Sequence, residues 1–541
     1  MRNLAMVLVC LVGGSVGCCA ARMLPPAPRA ERELILVNWD VTSKSQRGED
    51  LAVRSLQGIV NRKCPRIWVG TSDSPGGPGW WLDIYRNRGV VTTHAPRLGK
   101  DEFLHQYGSY ASGVVVPPEN LGEAGYRIAV MKAAVEDAIV GTRQLARKLD
   151  LPVIADYSTA FETYAQSWRC ALDELWPKLR HDAIFVDRDD LGRTTSTVDY
   201  VVQKKLFLCG PHKDKPEEMQ LFNELLMRLP LNSPVIGAAG GGTLASEGDV
   251  VRAVSKAGKV FVGCTGIENL SVQTGMRTVS SLSQNLRASP TLDRSKVYLA
   301  IELSDGDNSN VYFRHIPRRG LWDRRGQVPL GWTMGQSITE LAPAVACYYF
   351  DTKTPLDEFV AGVSGYAYVF PGDFGNALTE NEREKAWAVF LSRTDEYLDE
   401  IDGGVVTMLQ YQEAPGVIGD EVFSRYASGL TRARGIINGY NAVFDQYGRR
   451  TCRMVDGLPV FLTVTDRTWS LPGDKTLADE VIERTPEHKP AFMTLFMLPM
   501  ALGKDHFDQV LDSLHELQEK GYEIVLPSEL ADLAREASGS L

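Results

Sequence analysis

The sequence has few cysteines and histidines and no basic run, and each shortage excludes a class of protein. Its nine cysteines and eight histidines are scattered over 541 residues, without CxxC, HxxxH or HExxH spacing. Neither a zinc motif nor a dense disulfide framework is therefore indicated. Asp and Glu (68) outnumber Lys and Arg (58), which gives a formal net charge of -10. A chain this acidic lacks the positive surface of a nucleic-acid binder, so we expect no nucleic-acid partner.

The composition that remains is that of a folded protein with several domains. Hydrophobic residues make up 44% and charged residues 23% of the chain, which are ordinary proportions for globular proteins. The length alone predicts two large domains or three to four smaller ones. An acidic chain of this kind is expected to bind a neutral or cationic small molecule, or an uncharged polymer.

Residues 1–22 have the pattern of a secretory signal peptide. Arg2 is followed by an uncharged, largely apolar run that ends in small residues at Ala21. Cleavage near the end of this run would leave residues 23–32 as a tether. It would also place the protein in the periplasm or outside the cell, without stable membrane insertion. The alternatives are an uncleaved anchor and a lipid attached to Cys18.

Residues 33–290 are predicted to form an N-terminal α/β layered domain, either as one unit or as two subdomains. Leu34–Trp39, Glu49–Asn61 and Pro65–Gly70 read as strand, amphipathic helix and strand. Tyr126–Leu149 reads as the longest helix of this part. Further strands are predicted at Gly113–Val116, Val153–Ala155, Pro234–Ala238 and Lys259–Cys264.

Residues 296–541 are predicted to form a C-terminal (β/α)8-like barrel, after a polar boundary at residues 288–295. Near-continuous apolar runs, as buried parallel strands require, alternate here with helical patterns, and the alternative is an open doubly wound sheet. The eight predicted strands are Val297–Leu303, Val328–Trp332, Phe359–Phe370, Val405–Tyr411, Gly435–Tyr440, Val460–Thr465, Ala491–Leu498 and Glu523–Leu526. The predicted helices are Ser337–Phe350, Glu380–Glu400, Asp420–Arg434 and His506–Lys520.

Acidic side chains follow the first predicted barrel strand, where barrel enzymes place their chemistry. Asp305 and Asp307 stand two positions apart and would project to the same side of an extended chain. Gly306 between them is expected to allow a turn that bulkier residues cannot adopt. The alternatives are an ordinary Asp-Gly turn and a cation site, since Asp305, Asp307 and Asn308 offer hard oxygen ligands. We expect no cofactor, with a divalent cation at Asp305 and Asp307 as the alternative.

Other polar and aromatic residues follow later strands. The third strand, if it is regular, carries Tyr366 and Tyr368 on one face, where they could stack on sugar rings or belong to the core. The fourth strand is followed by polar groups that are costly to bury unless they face a polar cavity. Candidate substrate-binding residues at these strand ends are Asn308, Trp332, Tyr366, Tyr368, Asp373, Gln410 and Asp466, and Glu413 is a third candidate catalytic carboxylate.

Four segments resemble the family of glycoside hydrolases named for a GxGYxYxP signature. They are Leu56–Arg62, Ser304–Asn308, Val328–Trp332 and the signature run Gly365–Pro371. In this run the second glycine is replaced by Ala367, the second tyrosine by Phe370, and the proline stands one position early. The resemblance implies an exported protein with an N-terminal and a C-terminal domain, a barrel-like C-terminal half and activity on carbohydrate. It supplies no catalytic pair.

The residues favour glycosidic bond hydrolysis, which needs a protonated and an ionised carboxyl group across the scissile bond. We assign Glu413 as general acid and Asp305 or Asp307 as nucleophile or base, with an oligo- or polysaccharide as substrate. One alternative is a metal-assisted polysaccharide deacetylase or esterase with Asp305 and Asp307 as metal ligands. The other is a carbohydrate-binding protein without catalytic activity.

Overall fold

The computed structural model describes residues 22–92, 96–187, 195–238, 240, 244–264, 266–278, 281–408, 418–439, 443–467 and 475–539. The predicted signal peptide up to Ala21 lies outside these residues, and its cleavage and the export of the protein stay predictions. In the part of the chain that is described, no helix combines the length and the apolar character needed to cross a bilayer.

The N-terminal half consists of three small sheets in which all strands are parallel, as the predicted α/β layers require. Their strand orders are β2-β1-β3, β5-β4-β6 and β10-β9-β7-β8. The strands are β1 (Ile35–Asn38), β2 (Ile67–Val69), β3 (Arg97–Gly99), β4 (Val114–Val116), β5 (Ile139–Val140), β6 (Val153–Asp156), β7 (Ile184–Val186), β8 (Phe207–Cys209), β9 (Pro234–Gly237) and β10 (Val260–Gly263). We call the last sheet, with its helices, the third subdomain.

Helices cover these three sheets. They are α1 (Arg47–Val60), α2 (Pro78–Asn87), α3 (Lys100–Tyr107), α4 (Tyr126–Glu136), α5 (Arg143–Lys148), α6 (Tyr164–Cys170), α7 (Val198–Lys204), α8 (Pro216–Arg228), α9 (Glu247–Lys256) and α10 (Leu270–Gln273). The predicted single helix Tyr126–Leu149 is wrong, because Asp137 adopts a left-handed conformation (φ 56°) that ends α4. The apolar residues that follow form the buried strand β5 before α5 begins.

Polar residues at the end of α1 and directly after it join the first sheet to the third subdomain. The Gln57 amide donates to Asn269 Oδ1 (2.7 Å), and the Asn61 amide donates to Ser271 Oγ (2.8 Å). All four side chains are buried, so these hydrogen bonds fix how the two parts pack. The partner of these side chains is therefore the third subdomain.

The C-terminal half is the predicted barrel, with an almost closed sheet. Its strand order is β16-β17-β15-β14-β13-β12-β11-β19-β18, and β20 also pairs with β11. Every pairing is parallel except the hairpin of β16 and β17. The strands are β11 (Val297–Leu303), β12 (Leu330–Met334), β13 (Asp357–Ala361), β14 (Val405–Met408), β15 (Gly435–Asn438), β16 (Cys452–Val455), β17 (Leu458–Leu462), β18 (Asp466–Arg467), β19 (Ala491–Met497) and β20 (Tyr522–Ile524).

A hydrogen bond near the two ends of this strand order almost closes the sheet. The Val464 amide after β17 donates to the Thr494 carbonyl of β19 (3.0 Å). On the other side of β11, β20 pairs with Val297–Leu299, whereas β12 pairs with Glu302 and Leu303. The eighth predicted strand, β20, therefore lies between β11 and β12 at the end where those two strands do not pair.

The barrel helices lie outside this sheet or in its connections. They are α11 (Asn308–Asn310), α12 (Ile316–Arg319), α13 (Gln336–Leu341), α14 (Pro343–Thr352), α15 (Glu380–Glu400), α16 (Asp420–Gly429), α17 (Leu477–Arg484), α18 (Lys504–Glu519) and α19 (Pro527–Ser538). The predicted helix Ser337–Phe350 is divided, because Pro343 begins a new helix and Ala342 leaves the helical conformation. The predicted helix Glu380–Glu400 is confirmed with both its ends.

The segment expected to be a tether packs against the folded domains. Met23 and Leu24 are buried, and their backbone amides both donate to the Glu340 carboxylate of α13 (2.8 and 2.7 Å). Further along, the Ala30 amide donates to the Gly275 carbonyl (2.8 Å). Residues 23–30 thus form a strap that contacts both the barrel and the third subdomain.

Candidate active site

A carboxyl group that the sequence analysis missed lies inside the barrel. Glu302 of β11 accepts hydrogen bonds at Oε1 from the hydroxyls of Thr333 (2.5 Å) and Thr407. These threonines belong to β12 and β14, so all three side chains point into the barrel interior. Glu302 is fully buried, and its Oε2 has no hydrogen-bond partner among the described residues. A glutamate in an otherwise apolar strand is the signal that could have identified it.

Burial changes the acidity of this group. Loss of solvent raises the pKa of Glu302 to about 7, and the two threonine hydrogen bonds oppose this rise. A carboxyl group with such a pKa carries a proton for much of the time at neutral pH. General acids commonly have this property, and such perturbed groups concentrate at functional sites.

Asp305 and Asp307 lie in the loop that follows β11, at the rim of the barrel. Asp305 Oδ1 accepts the Asp307 amide (2.7 Å), and Asn310 donates its amide to Asp307 Oδ2 (3.1 Å). Asp305 is only 6% exposed. Burial and the negative charge of Asp307 together raise the pKa of Asp305 well above its usual range. The two carboxyl groups therefore interact, and the interaction favours the protonated form of Asp305.

Gly306 is required in this loop for a reason other than its backbone conformation. Its φ is not positive, so the expected special turn is wrong. A Cβ at this position would lie 2.5 Å from the Tyr368 ring, so the ring or the loop would have to shift. Tyr368 of the signature run thus packs directly on the loop of Asp305, Gly306 and Asp307, which we call the acidic loop.

The third subdomain covers the other side of the acidic loop. Ser309 donates its hydroxyl to the carbonyl of Gly263 (2.5 Å), the last residue of β10. A Cβ on Gly263 would lie 2.7 Å from the Gly306 carbonyl oxygen, so the two backbones are in close contact. In proteins with parallel sheets, ligands bind just beyond the carboxyl ends of the strands. Here the carboxyl ends of β10 and β11, which belong to two different sheets, meet at the acidic loop.

The strand predicted at Phe359–Phe370 ends as β13 at Ala361, and the rest of the run packs against the third subdomain. Tyr368 exchanges two backbone hydrogen bonds with Phe261 of β10 (2.9 and 3.0 Å). The Tyr366 hydroxyl donates to Asn232 Oδ1 (3.2 Å). Both tyrosines are buried, so the open aromatic face that an alternating strand would present is absent from this described segment. The geometry gives these rings a packing role, and sugar binding by them stays a prediction.

Two other predicted binding residues also lie within the fold. Trp332 is 1% exposed, and its indole nitrogen donates to Asp357 Oδ1 (3.0 Å). Asn308 donates its amide to the Thr333 carbonyl (2.6 Å) and accepts the Gly335 amide (2.9 Å). Asn308 therefore holds the end of β12 beside the acidic loop, and contact of either residue with substrate stays a prediction.

The remaining predicted residues lie on other elements or outside the described residues, and their contact with substrate stays a prediction. Asp373 lies 3.7 Å from Arg252 of α9, on the side of the third subdomain. Asp466 begins the short strand β18 at the end of β19. Gln410 and Glu413 lie outside the described residues, a short distance in sequence after β14 ends at Met408. Where the described residues are concerned, no three His, Cys, Asp or Glu side chains are arranged to hold a metal ion.

Comparison with family models identifies the class of protein. Residues 295–535 match the model described as "GxGYxYP putative glycoside hydrolase C-terminal domain", and residues 181–275 match "GxGYxYP third domain". The chain belongs to the GxGYxYP family. Because this signature has no residue between its second tyrosine and its proline, Pro371 stands in register. The statement that the proline stands one position early is therefore wrong.

A solved structure shows the same fold over nearly the whole chain. It is described as a putative hydrolase from Bacteroides thetaiotaomicron, with 16% identity and a TM-score of 0.74, and the match covers 94% of this chain and 96% of that one. A peptidoglycan deacetylase structure from Bacillus subtilis matches 46% of this chain and 95% of its own with 11% identity and a TM-score of 0.24, too low to carry an argument. No curated protein sequence matches the chain significantly.

Proposed function

We propose that this protein hydrolyses glycosidic bonds at the loop between the barrel and the third subdomain. The observation that carries this proposal is the pair Asp305 and Asp307, in which burial and the negative charge of Asp307 raise the pKa of Asp305 well above its usual range. Glycoside hydrolysis needs one carboxyl group that keeps its proton and one that is ionised. Membership in a family described as glycoside hydrolases supports the same reaction.

The pKa of Asp305 changes the roles that the sequence analysis assigns. The raised pKa of Asp305 suits it to protonate the leaving oxygen. Asp307 is then the carboxylate that attacks the sugar or activates water. Glu413 remains a candidate for either role, on the segment that follows β14. Glu302 lies on β11, just before the loop, and is a second protonatable group in the barrel interior.

The substrate in this proposal is an oligo- or polysaccharide outside the cytoplasm. Support comes from the family description, from the acidic composition of the chain and from the signal-like run that ends at Ala21. Mass spectrometry of the protein recovered from its own cell would show whether the chain begins near residue 22.

The test is hydrolysis of a glycan panel by the wild-type protein and by Asp305→Asn and Asp307→Asn. The amide that replaces the Asp305 carboxyl group would still offer an oxygen to the Asp307 backbone amide, so the loop should keep its conformation. We expect each substitution to lower kcat by about 100-fold or more, because general acid–base groups contribute about that much. The control is Asp508→Asn, which removes an exposed carboxylate paired with Arg324 (2.6 Å) and should leave the rate unchanged.

Two results would replace this proposal. Binding of intact glycans without cleavage by the wild-type protein would indicate a carbohydrate-binding protein. Release of acetate that a chelator stops and that a divalent cation restores would indicate the metal-assisted deacetylase, with Asp305 and Asp307 as ligands.

A further inference from the structure

A basic cavity lies on the third subdomain, away from the acidic loop. Its volume is about 300 Å³, and its wall includes Arg180 before β7 and Lys204 before β8. These residues precede their strands, so the cavity lies at the amino ends of β7 and β8. The acidic loop contacts the carboxyl end of β10, at the opposite end of the strands of this sheet. The cationic side chains that line it are Arg62, Lys178, Arg180, Lys204 and Lys205. None of the described residues that line it is acidic.

Four of these cations have carboxylate partners that do not line the cavity. Arg62 and Lys205 contact Asp137, Lys178 contacts Glu136, and Arg180 contacts Asp182. Their charges are thus already partly balanced. The cavity is nevertheless lined by positively charged side chains, whereas the chain as a whole has a net charge of -10.

Lys204 has no such partner among the described residues. It is 6% exposed, and its ammonium donates to the Pro26 carbonyl of the strap (2.9 Å) and lies 5.7 Å from the centre of the Tyr200 ring. No described carboxylate forms an ion pair with it. Burial, followed by the positive charges of Arg180 and Arg22, lowers the pKa of Lys204 to about 7. Because a buried charge is stable only when it is compensated, this site favours an anion.

A neutral side chain in the same wall, Gln203, sets a second requirement for a ligand. The Gln203 amide nitrogen donates to the carbonyls of Asn61 and Ser271 (both 2.7 Å), which fixes the orientation of the amide. Its oxygen is buried and has no hydrogen-bond partner among the described residues. A ligand that carries a hydroxyl beside its negative charge would satisfy both Gln203 and Lys204.

We propose that this cavity binds a phosphate group, either as free phosphate or as part of a phosphorylated sugar. The negative oxygens would be held by Lys204 and by the cations around it, and a protonated oxygen or a sugar hydroxyl would donate to Gln203. The strap forms one wall of the cavity through Pro26 and Pro28, so the bound group would also tie the strap to the third subdomain. This binding is independent of the proposed hydrolysis, because the two sites lie at opposite ends of the strands of one sheet.

Calorimetric titration with inorganic phosphate and with glucose 6-phosphate tests the proposal, in chloride buffer of matched ionic strength. We expect saturable binding that weakens about tenfold or more in Lys204→Gln and in Arg180→Gln. Lys204→Gln removes an uncompensated buried charge and should not lower the melting temperature. Lys475→Gln, which removes an exposed lysine paired with Glu483, is the matched control and should bind as the wild type does.

The pH dependence provides a second measurement. Sulfate keeps a constant charge from about pH 6 to about pH 8, so a change in its affinity reports on the protein. Since the ammonium of Lys204 loses its proton near pH 7, sulfate affinity should fall about tenfold over this range and should stay constant in Lys204→Gln. Tighter binding of the sugar phosphate than of phosphate would identify the phosphorylated sugar as the ligand. Absence of saturable binding, or equal binding by Lys204→Gln, would overturn the proposal.

Discussion

Replacing Glu302 by Gln should change how the stability of the protein depends on pH. The pKa of Glu302 rises from 4.5 in the unfolded chain to about 7 in the folded protein. The folded state therefore binds more protons between these two values. The contribution of Glu302 to stability is fully present below about pH 4.5 and is lost as the pH rises through about 7.

The size of this effect follows from the shift in pKa. One pKa unit corresponds to about 1.4 kcal/mol, so the ionised Glu302 costs the folded state about 3 kcal/mol. The side-chain amide of the variant would still accept hydrogen bonds from Thr333 and Thr407 but would carry no charge. The difference in unfolding free energy between Glu302→Gln and the wild type should thus move in favour of the variant by about 3 kcal/mol, mostly between about pH 4.5 and about pH 7.

Urea unfolding followed by tryptophan fluorescence measures this difference at a series of pH values. The variant must be compared with the wild type at each pH, because Glu340 and Glu358 also have pKa values raised to about 7 by burial. Their contributions cancel in the difference. A difference that stays constant from about pH 5 to about pH 8 would show that Glu302 is not a buried, protonated group.

Three further substitutions test the contacts around the site and the strap. Gly306→Ala should lower the unfolding free energy by about 1–3 kcal/mol, since its Cβ would overlap the Tyr368 ring, and the loss should shrink in the background Tyr368→Leu. Asn308→Ala should cost about 2–4 kcal/mol in urea unfolding, because it leaves the Thr333 carbonyl and the Gly335 amide without this partner. Glu340→Ala should speed amide hydrogen exchange at Met23 and Leu24 about tenfold or more and leave exchange in the barrel strands unchanged, whereas equal exchange would show that the carboxylate does not hold the strap.

Much of the barrel could be predicted from the sequence, because its buried parallel strands are continuous apolar runs. All eight predicted barrel strands have a counterpart, and β11 matches residue for residue. The run Phe359–Phe370 was misleading for a physical reason. Residues after Ala361 are apolar because they pack against β10 of another subdomain, and a local pattern does not distinguish that packing from a strand.

The candidate site was predictable only in part. The sequence indicates Asp305 and Asp307 as candidates because they follow a strand and flank a glycine, and their catalytic role stays a prediction. The contacts of Tyr368 with Phe261 and Gly306 join residues far apart in the chain, and no local pattern carries that information. The raised pKa values of Glu302 and Asp305 depend on burial, which follows from the assembled fold and not from spacing.

A crystal structure of Asp305→Asn with a bound oligosaccharide tests the central claim most directly. The account predicts that the oxygen of the bond to be cleaved lies within about 3.2 Å of the side chain at position 305, with Asp307 close to the same sugar. A sugar bound elsewhere, with the loop still enclosed between Tyr368 and Gly263, would contradict it.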